Sequence, residues 1–345
     1  MPNDVVTRAL DAVASGRDLS ADEAAAVLAE IMAGEVAEAQ IAGFLIGLRT
    51  KGETEEELAG LARTMRELAR RVPAGQDDLL DTAGTGGGRP TFNVSTTAAL
   101  IAAAAGCRVA KHGNRSATSL SGSADVLEAL GARIDLGPEA VARCIEDVGF
   151  GFMFAPNHHA ATRFVVPVRK ELAVRTIFNF LGPLTNPAGA TRQLIGVSDP
   201  AMLDRMAGAL GRLGARRALV VSSEDGLDEM STSAPTQVVE VSAGGEMRRY
   251  TISAEELGLP PADPDAVRGG PPDRNAAIAR GILAGEPGPA RDLALLNAAA
   301  AIYAAGAADS IADGLERARE AVDSGAASSL LHRFVAHTHE LADAA

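Results

Sequence analysis

Apolar residues recur with two different periods along this chain. In the opening stretch they fall at Val27, Leu28, Ile31 and Met32, then at Ile41, Phe44, Leu45 and Leu48, then at Leu58, Leu61, Met65 and Leu68. Steps of three and four place each set on one helical face, so the region before Pro73 is predicted to form four short helices. Ser20 with Glu23 and Thr54 with Glu57 have capping-box spacing, and Gly34 and Gly52 mark helix ends. Apolar stripes on helices this short suit a dimer interface as well as an internal core.

After Pro73 short apolar runs alternate with helical patterns. Strands are predicted at Leu79–Ala83, Cys107–Ala110, Arg133–Leu136, Phe150–Ala155, Leu194–Val197 and Ala218–Ser222, with two more, a candidate antiparallel pair, within 235–255. Helices are predicted at Ser95–Ala105, Ala124–Leu130, from Pro138, at Pro200–Leu213 and through the C-terminal region. Strands alternating with helices imply a mainly parallel sheet. Leu172–Pro187 interrupts the alternation, and the Pro- and Gly-rich stretch 258–272 reads as a surface excursion.

Composition narrows the classes. A chain of 345 residues exceeds what one small core organises, so two domains, or one large α/β domain with a helical annex, are expected. With 47% apolar residues, no Trp and two Tyr, the interior is built from Ala, Val, Leu and Ile. A net charge of −13 argues against a nucleic-acid surface, yet permits a small anion held by backbone N–H groups and a few cations. Cys107 and Cys144 have no metal-ligand spacing and read as buried thiols in a reducing compartment. The run Ala98–Ala105 is too short to cross a bilayer and no signal peptide opens the chain, so a cytoplasmic, non-membrane location is expected.

Four stretches carry candidate chemistry. The loop GTGGGRP (Gly84–Pro90) joins a strand to a helix whose entrance holds Asn93, Ser95 and Thr96. Closely spaced glycines and a helix N-terminus suit an anion, although such turns also occur as mere tight turns. The next strand leads into Lys111–Asp125, where Lys111, His112, Asn114, Arg115, Ser116, Thr118, Ser119, Ser121 and Ser123 crowd around two glycines. Lys111 stands out because the chain has only two other lysines, Lys51 and Lys170. That donor density suits a phosphate and a sugar, with N-capping as a second role for Ser123. Asp228 and Glu229 form a carboxylate pair of the kind magnesium takes, or a solvated surface pair. Finally, Phe152–Pro187 mixes His158, His159, Arg163, Arg169 and Arg175 with Phe and Pro. A flat aromatic carboxylate needs such a mixture. His159 and Arg169 are read as substrate contacts, and Arg163 as structural.

In order along the chain, GTGG, FNVST, KHGNRS, SGSADVLEALG, FMFAP with a following His, RTIFNFLGPLTNP and DGLDE resemble the anthranilate phosphoribosyltransferase family over nearly the whole length. The resemblance implies the type III phosphoribosyltransferase fold, shared with nucleoside phosphorylases: an α/β domain with a mainly parallel sheet plus a small α-helical domain. Residues 1–72 with 166–190 would form the helical part, and 73–165 with 191–345 the α/β part. It implies small-molecule substrates, magnesium, a place in tryptophan biosynthesis and a homodimer formed through the helical domain. Carried over by motif, Gly84, Gly87, Thr91, Asn93, Ser95, Thr96, Lys111, Asn114, Ser119 and Ser123 would hold phosphoribosyl pyrophosphate. Ser95, Asp228 and Glu229 would reach magnesium, and Gly84, Asn114, His159 and Arg169 would line the anthranilate site.

One departure stands out. The family loop usually reads GTGGDG, whereas this chain has GTGGG followed by Arg89, with a carboxylate missing and one residue fewer before Thr91. That bears on metal stoichiometry and on the grip on the ribosyl substrate. Two other readings are a pyrimidine nucleoside phosphorylase-like enzyme and a non-catalytic nucleic-acid-binding relative. The tract after FMFAP and the KHGNR loop fit the transferase better than the first, and the acidic charge opposes the second.

Overall fold

The computed structural model describes residues 2–75, 78–116 and 119–344. Four helices open it: α1 (Asp4–Ala14), α2 (Ala21–Ala33), α3 (Glu38–Lys51) and α4 (Glu55–Leu68). Both capping boxes form. Ser20 Oγ accepts from the Glu23 N–H at 3.2 Å while the Glu23 carboxylate accepts from the Ser20 N–H at 2.8 Å, and Thr54 and Glu57 repeat the exchange at 3.2 and 2.9 Å. Each box satisfies donors that the first helical turn leaves unpaired.

The chain then alternates: β1 (Leu80–Gly84), α5 (Val94–Ala104), β2 (Val109–Gly113), α6 (Ser123–Ala129), α7 (Pro138–Val148) and β3 (Phe150–Phe154). Three short helices interrupt the pattern, α8 (Ala155–His158), α9 (Val166–Leu172) and α10 (Phe178–Leu184). After β4 (Arg192–Gly196), α11 (Leu203–Arg212) and β5 (Arg217–Ser223), the hairpin strands β6 (Thr236–Ser242) and β7 (Met247–Ile252) complete one sheet. Its order is β3-β2-β1-β4-β5-β6-β7, parallel through β5 and antiparallel beyond. Helices α12 (Pro272–Leu283), α13 (Pro289–Ala304), α14 (Ile311–Asp323) and α15 (Ala326–Asp343) end the chain.

Strand alternation feeds two cores. On β4, Leu194 joins the core shared with α5 and α13, while its neighbour Ile195 faces the core shared with α2, α4, α10 and α11. Leu219 and Val220 of β5 divide in the same way. The helical opening is therefore continuous with one face of the sheet.

Three expectations change. Arg133–Leu136 is not a strand: Ile134 and Leu136 are buried in alternation, but the Arg133 N–H donates to Thr338 Oγ1 of α15 at 3.1 Å instead of to a ladder. Burial with period two is satisfied here by a helix surface. Strand β2 runs on through Gly113, so Lys111 and His112 belong to the sheet rather than to the polar loop. The stretch 258–272 is no mere excursion, because Leu259 and Val267 are buried and the Val267 carbonyl accepts from the Phe92 N–H at 3.3 Å. Thr118 lies outside the described residues.

Candidate active site

The strand order reverses beside β1: β2 and β3 lie to one side, β4 and β5 to the other. Carboxyl ends of parallel strands open a crevice at such a point. Here β1 and β4 end on Gly84 and Gly196, which are partners in register. Asp228 lies across both ends. A Cβ on Gly84 would stand 2.5 Å from Asp228 Oδ2, and one on Gly196 would collide with the Asp228 carbonyl oxygen. Only glycine lets the acidic loop come this close.

The glycine loop is fastened along that acidic loop. The Gly86 N–H donates to Asp228 Oδ2 at 2.8 Å, and the Arg89 N–H donates to the Gly226 carbonyl at 3.0 Å. The Arg89 guanidinium pairs with Asp225 at 2.9 Å and also donates to the Pro264 carbonyl. Asp225 is itself fixed by the hydroxyls of Ser223 and Ser231, at 2.5 and 2.8 Å.

Burial dominates the electrostatics. It pushes the Asp228 carboxyl up from the usual range, against the pull of the Gly86 N–H and Arg175. Glu229 rises well above that range, first through burial and then through the Asp228 charge, with Lys111 and the Ser95 N–H opposing. Neither carboxylate forms an ion pair among the described residues. The half-buried Asp228 and the buried Glu229, both without an ion pair, together with the Ser95 hydroxyl nearby are a donor set that fits a hard cation completing its shell with water and phosphate oxygens. No cluster of three His, Cys, Asp or Glu able to hold a metal unaided occurs among the described residues.

Lys111 lies beneath this layer, 1% exposed. Its ammonium donates to the Thr82 carbonyl at 2.5 Å and reaches the Thr82 and Ser95 hydroxyls at 3.2 and 3.4 Å. Burial lowers its pKa and Asp81 opposes that. Asp81 is buried as well, accepting from the His112 N–H at 3.1 Å and from Asn186 Nδ2 at 2.8 Å. The Lys111 charge thus acts on the crevice from the floor, with Ser95 in between. Sequence reasoning passed over Asp81, although an Asp inside the apolar run LLDTAG is itself an unusual signal.

Asn93 joins three segments. Its Oδ1 accepts from Ser121 Oγ at 3.0 Å and from Asn275 Nδ2 of α12 at 2.8 Å, while its Nδ2 donates to the Ser121 carbonyl at 3.1 Å. The polar loop is thereby held over the entrance of α5. In it the Asn114 carbonyl accepts from Ser123 Oγ at 3.2 Å, and Ser116 and Ser119 share a hydroxyl contact of 2.6 Å. Thr96 Oγ1 is buried without a hydrogen-bond partner, whereas Thr91 sits at the rim with its carbonyl against Gly269.

Histidines form the next wall. The His112 and His159 rings stand 5.1 Å apart. His112 Nδ1 faces the Gly182 carbonyl at 3.2 Å and His158 Nδ1 the Arg70 carbonyl at 2.8 Å. A carbonyl accepts only from N–H, so in both rings the proton belongs on Nδ1 and Nε2 keeps a lone pair. The Nε2 atoms of His112, His158 and His159 are all buried without partners. Burial holds His159 down at about 4, so it is neutral near pH 7.

Arg169 lies apart from this network. Its guanidinium is 5.5 Å from the Phe178 ring and, among the described residues, meets no acceptor or carboxylate. Burial lowers its pKa, the mark of a cation without a counter-charge. Arg163 lies over its neighbour Phe164 at 4.7 Å. Arg175, noted in the sequence but assigned no role, spans to the glycine loop and donates to the Gly86 and Thr85 carbonyls at 2.6 and 3.2 Å.

Known proteins share this fold. Residues 76–328 match the glycosyl transferase family α/β domain, and residues 7–69 match that family's helical bundle domain. An anthranilate phosphoribosyltransferase from Thioalkalivibrio sulfidiphilus is 53% identical over 332 residues, spanning 96% of this chain and 98% of the relative. One from Roseiflexus sp. is 53% identical over 94% of this chain and 95% of the relative. Among solved structures, the Thermus thermophilus enzyme of that name superposes with a TM-score of 0.91 at 48% identity, covering 98% of this chain and 100% of that one. The Saccharomyces cerevisiae enzyme in complex with PRPP and Mg gives 0.89 at 26% identity, covering 97% and 98%. The chain belongs to the anthranilate phosphoribosyltransferase family.

Proposed function

We infer that this protein transfers the 5-phosphoribosyl group from phosphoribosyl pyrophosphate to the amine of anthranilate and releases pyrophosphate, a step of tryptophan biosynthesis. The observation that carries the reading is the docking of a glycine loop onto Asp228, beside the buried Glu229, two carboxylates without an ion-pair partner among the described residues, at the point where the strand order reverses. Such a crevice takes an anion together with a hard cation.

The cleft lies between a helical unit, residues 1–72 with 166–190, and a larger unit, 73–165 with 191–345. Val168, Phe178 and Leu181 lie in the same core as the opening helices α1 to α4, which supports grouping the inserted segment with them. Gly84, Gly87, Thr91, Asn93, Ser95, Thr96, Ser119 and Ser123 hold the ribosyl pyrophosphate through backbone N–H groups and hydroxyls, and Lys111 adds positive potential from below. The unpartnered Thr96 hydroxyl is a donor in want of an acceptor. Ser95, Asp228 and Glu229 would hold Mg2+, which when bound neutralises charge developing on the leaving pyrophosphate. Gly84, Asn114, His159 and Arg169 receive anthranilate. The free guanidinium of Arg169 takes its carboxylate, and the bare Nε2 of His159 accepts a hydrogen bond from its amine.

A neutral arylamine already carries a nucleophilic lone pair, so no strong base is required. The chain's contribution is to fix the two reactants face to face and to supply donors where pyrophosphate charge develops. The protein acts as a cytoplasmic homodimer formed through the helical unit. Val166 and Val174, exposed large apolar side chains on the inserted segment, support that surface. Initial rates of anthranilate consumption with phosphoribosyl pyrophosphate and Mg2+ test the reading, and absence of transfer overturns it.

A further inference from the structure

We propose that Arg175 is an additional cation of the pyrophosphate site, parked on the glycine loop's carbonyls until the anion displaces them. The proposal rests on the phosphoribosyl-transfer reading and extends it to a residue to which the motif comparison assigned no part.

Three observations carry it. First, the backbone around Arg175 is held in a fixed course. Ala173, two residues earlier, closes α9 at φ +51°, the one non-glycine residue with positive φ among the described residues. An alanine in that conformation is strained, and the surrounding structure must hold it there. The Arg175 carbonyl is also anchored by Arg49 Nη1 of α3 at 2.7 Å. Backbone and anchor together send the side chain away from the helical unit toward β1. Second, the loop is shaped to receive the guanidinium. A Cβ on Gly87 would overlap Arg175 Nη1, so any side chain at Gly87 would expel it. Third, its partners are weak ones for a full charge. Arg175 donates to the Gly86 carbonyl at 2.6 Å and the Thr85 carbonyl at 3.2 Å, stacks 5.7 Å from the Phe180 ring, and makes no ion pair among the described residues.

A guanidinium resting on neutral carbonyls beside an anion-binding loop gains by exchanging them for phosphate oxygens, because the phosphate adds an opposite charge and accepts the guanidinium's forked donors. The exchange frees the Thr85 and Gly86 carbonyls and moves the guanidinium alone, because the backbone after α9 is held by Ala173 and Arg49.

The test measures magnesium pyrophosphate binding by calorimetry, and the Michaelis constants of both substrates, for wild type, Arg175→Gln and Arg175→Lys. Gln keeps a polar amide on a shorter side chain but loses the charge, whereas Lys keeps the charge. Arg175→Gln should weaken pyrophosphate and raise the Michaelis constant for the ribosyl substrate by roughly tenfold to a hundredfold, with a smaller change for anthranilate. Arg175→Lys should recover part of that loss and, if the Gln variant does not fold, stands alone as an intermediate case. Pyrophosphate affinity in Arg175→Gln equal to wild type, or in Arg175→Lys as poor as in Arg175→Gln, overturns the proposal. A wild-type protein that transfers no ribosyl group overturns the underlying reading instead.

Discussion

Arg89 and Asp225 form an ion pair of 2.9 Å that fastens the glycine loop to the acidic loop, and both side chains are mostly shielded from water. This is where the chain departs from the usual GTGGDG pattern. The added cation grips the loop that carries Asp228 and Glu229 instead of leaving a carboxylate beside the ribosyl substrate. The pair sets the position of the Asp228 carboxylate through Gly226 and Gly86.

Loosening that latch is predicted to weaken metal use. Arg89→Met should raise the magnesium concentration needed for half-maximal rate by about tenfold, about 1.4 kcal/mol. Initial rates over a magnesium titration measure it, and an unchanged midpoint shows that the latch does not place the acidic loop. With no carboxylate added beside the pyrophosphate, the wild-type curve should reach a plateau without inhibition at high magnesium. Gly88→Asp cannot serve as a simple restoration. Its Cβ would stand 2.8 Å from the Gly226 carbonyl oxygen and 2.9 Å from Asp228 Oδ1, so it should lower activity at every magnesium concentration.

Asp228→Asn combined with Glu229→Gln should separate stability from activity. Turnover should collapse at ordinary magnesium and recover in part at high magnesium. Thermal stability without metal should hold or rise, since two desolvated like charges are removed. Unchanged turnover and magnesium dependence would reduce the pair to a structural role.

Arg169→Ala should raise the Michaelis constant for anthranilate roughly thirtyfold, the cost of a charge-assisted hydrogen bond of about 2 kcal/mol, with far less effect on the ribosyl substrate. Because the guanidinium meets no acceptor in the free protein, the substitution should leave the melting temperature nearly unchanged. Equal changes in both Michaelis constants would remove Arg169 from the anthranilate site.

Protonation of His159 gives a signed prediction. Its folded value of about 4 lies below the ordinary 6.5, so between these values the unfolded chain binds the extra proton. The contribution of His159 to stability is complete above pH 6.5 and is lost as pH falls toward 4. Relative to His159→Gln, wild type should therefore lose about 2 kcal/mol or less on going from about pH 7.5 to about pH 5. Buried carboxyls such as Asp81 shift the other way, and the comparison of variants cancels them. A difference that does not vary with pH would place the ring in water rather than in the wall.

The local elements were legible because each rests on nearby residues. Capping boxes, apolar spacing and the glycine loop are complete within a few positions, and the structure forms all three. What could not be read was set by distant partners. Ile134 and Leu136 alternate like a strand because they enter a core that α15 also lines, and nothing within 133–136 reveals that. Lys111 was visible as a rare cation, but its place beneath Ser95 depends on Thr82 and Asp81 of another strand. The contact of Arg175 with Gly86 and the Arg89–Asp225 pair were hidden for the same reason, since they span 89 and 136 positions in sequence.

The most direct measurement follows anthranilate fluorescence at neutral pH in the presence of the protein. The account predicts a loss of signal that requires both phosphoribosyl pyrophosphate and Mg2+, with pyrophosphate released in equal amount. A stable signal under those conditions, with phosphate-dependent cleavage of uridine or thymidine in its place, would contradict it.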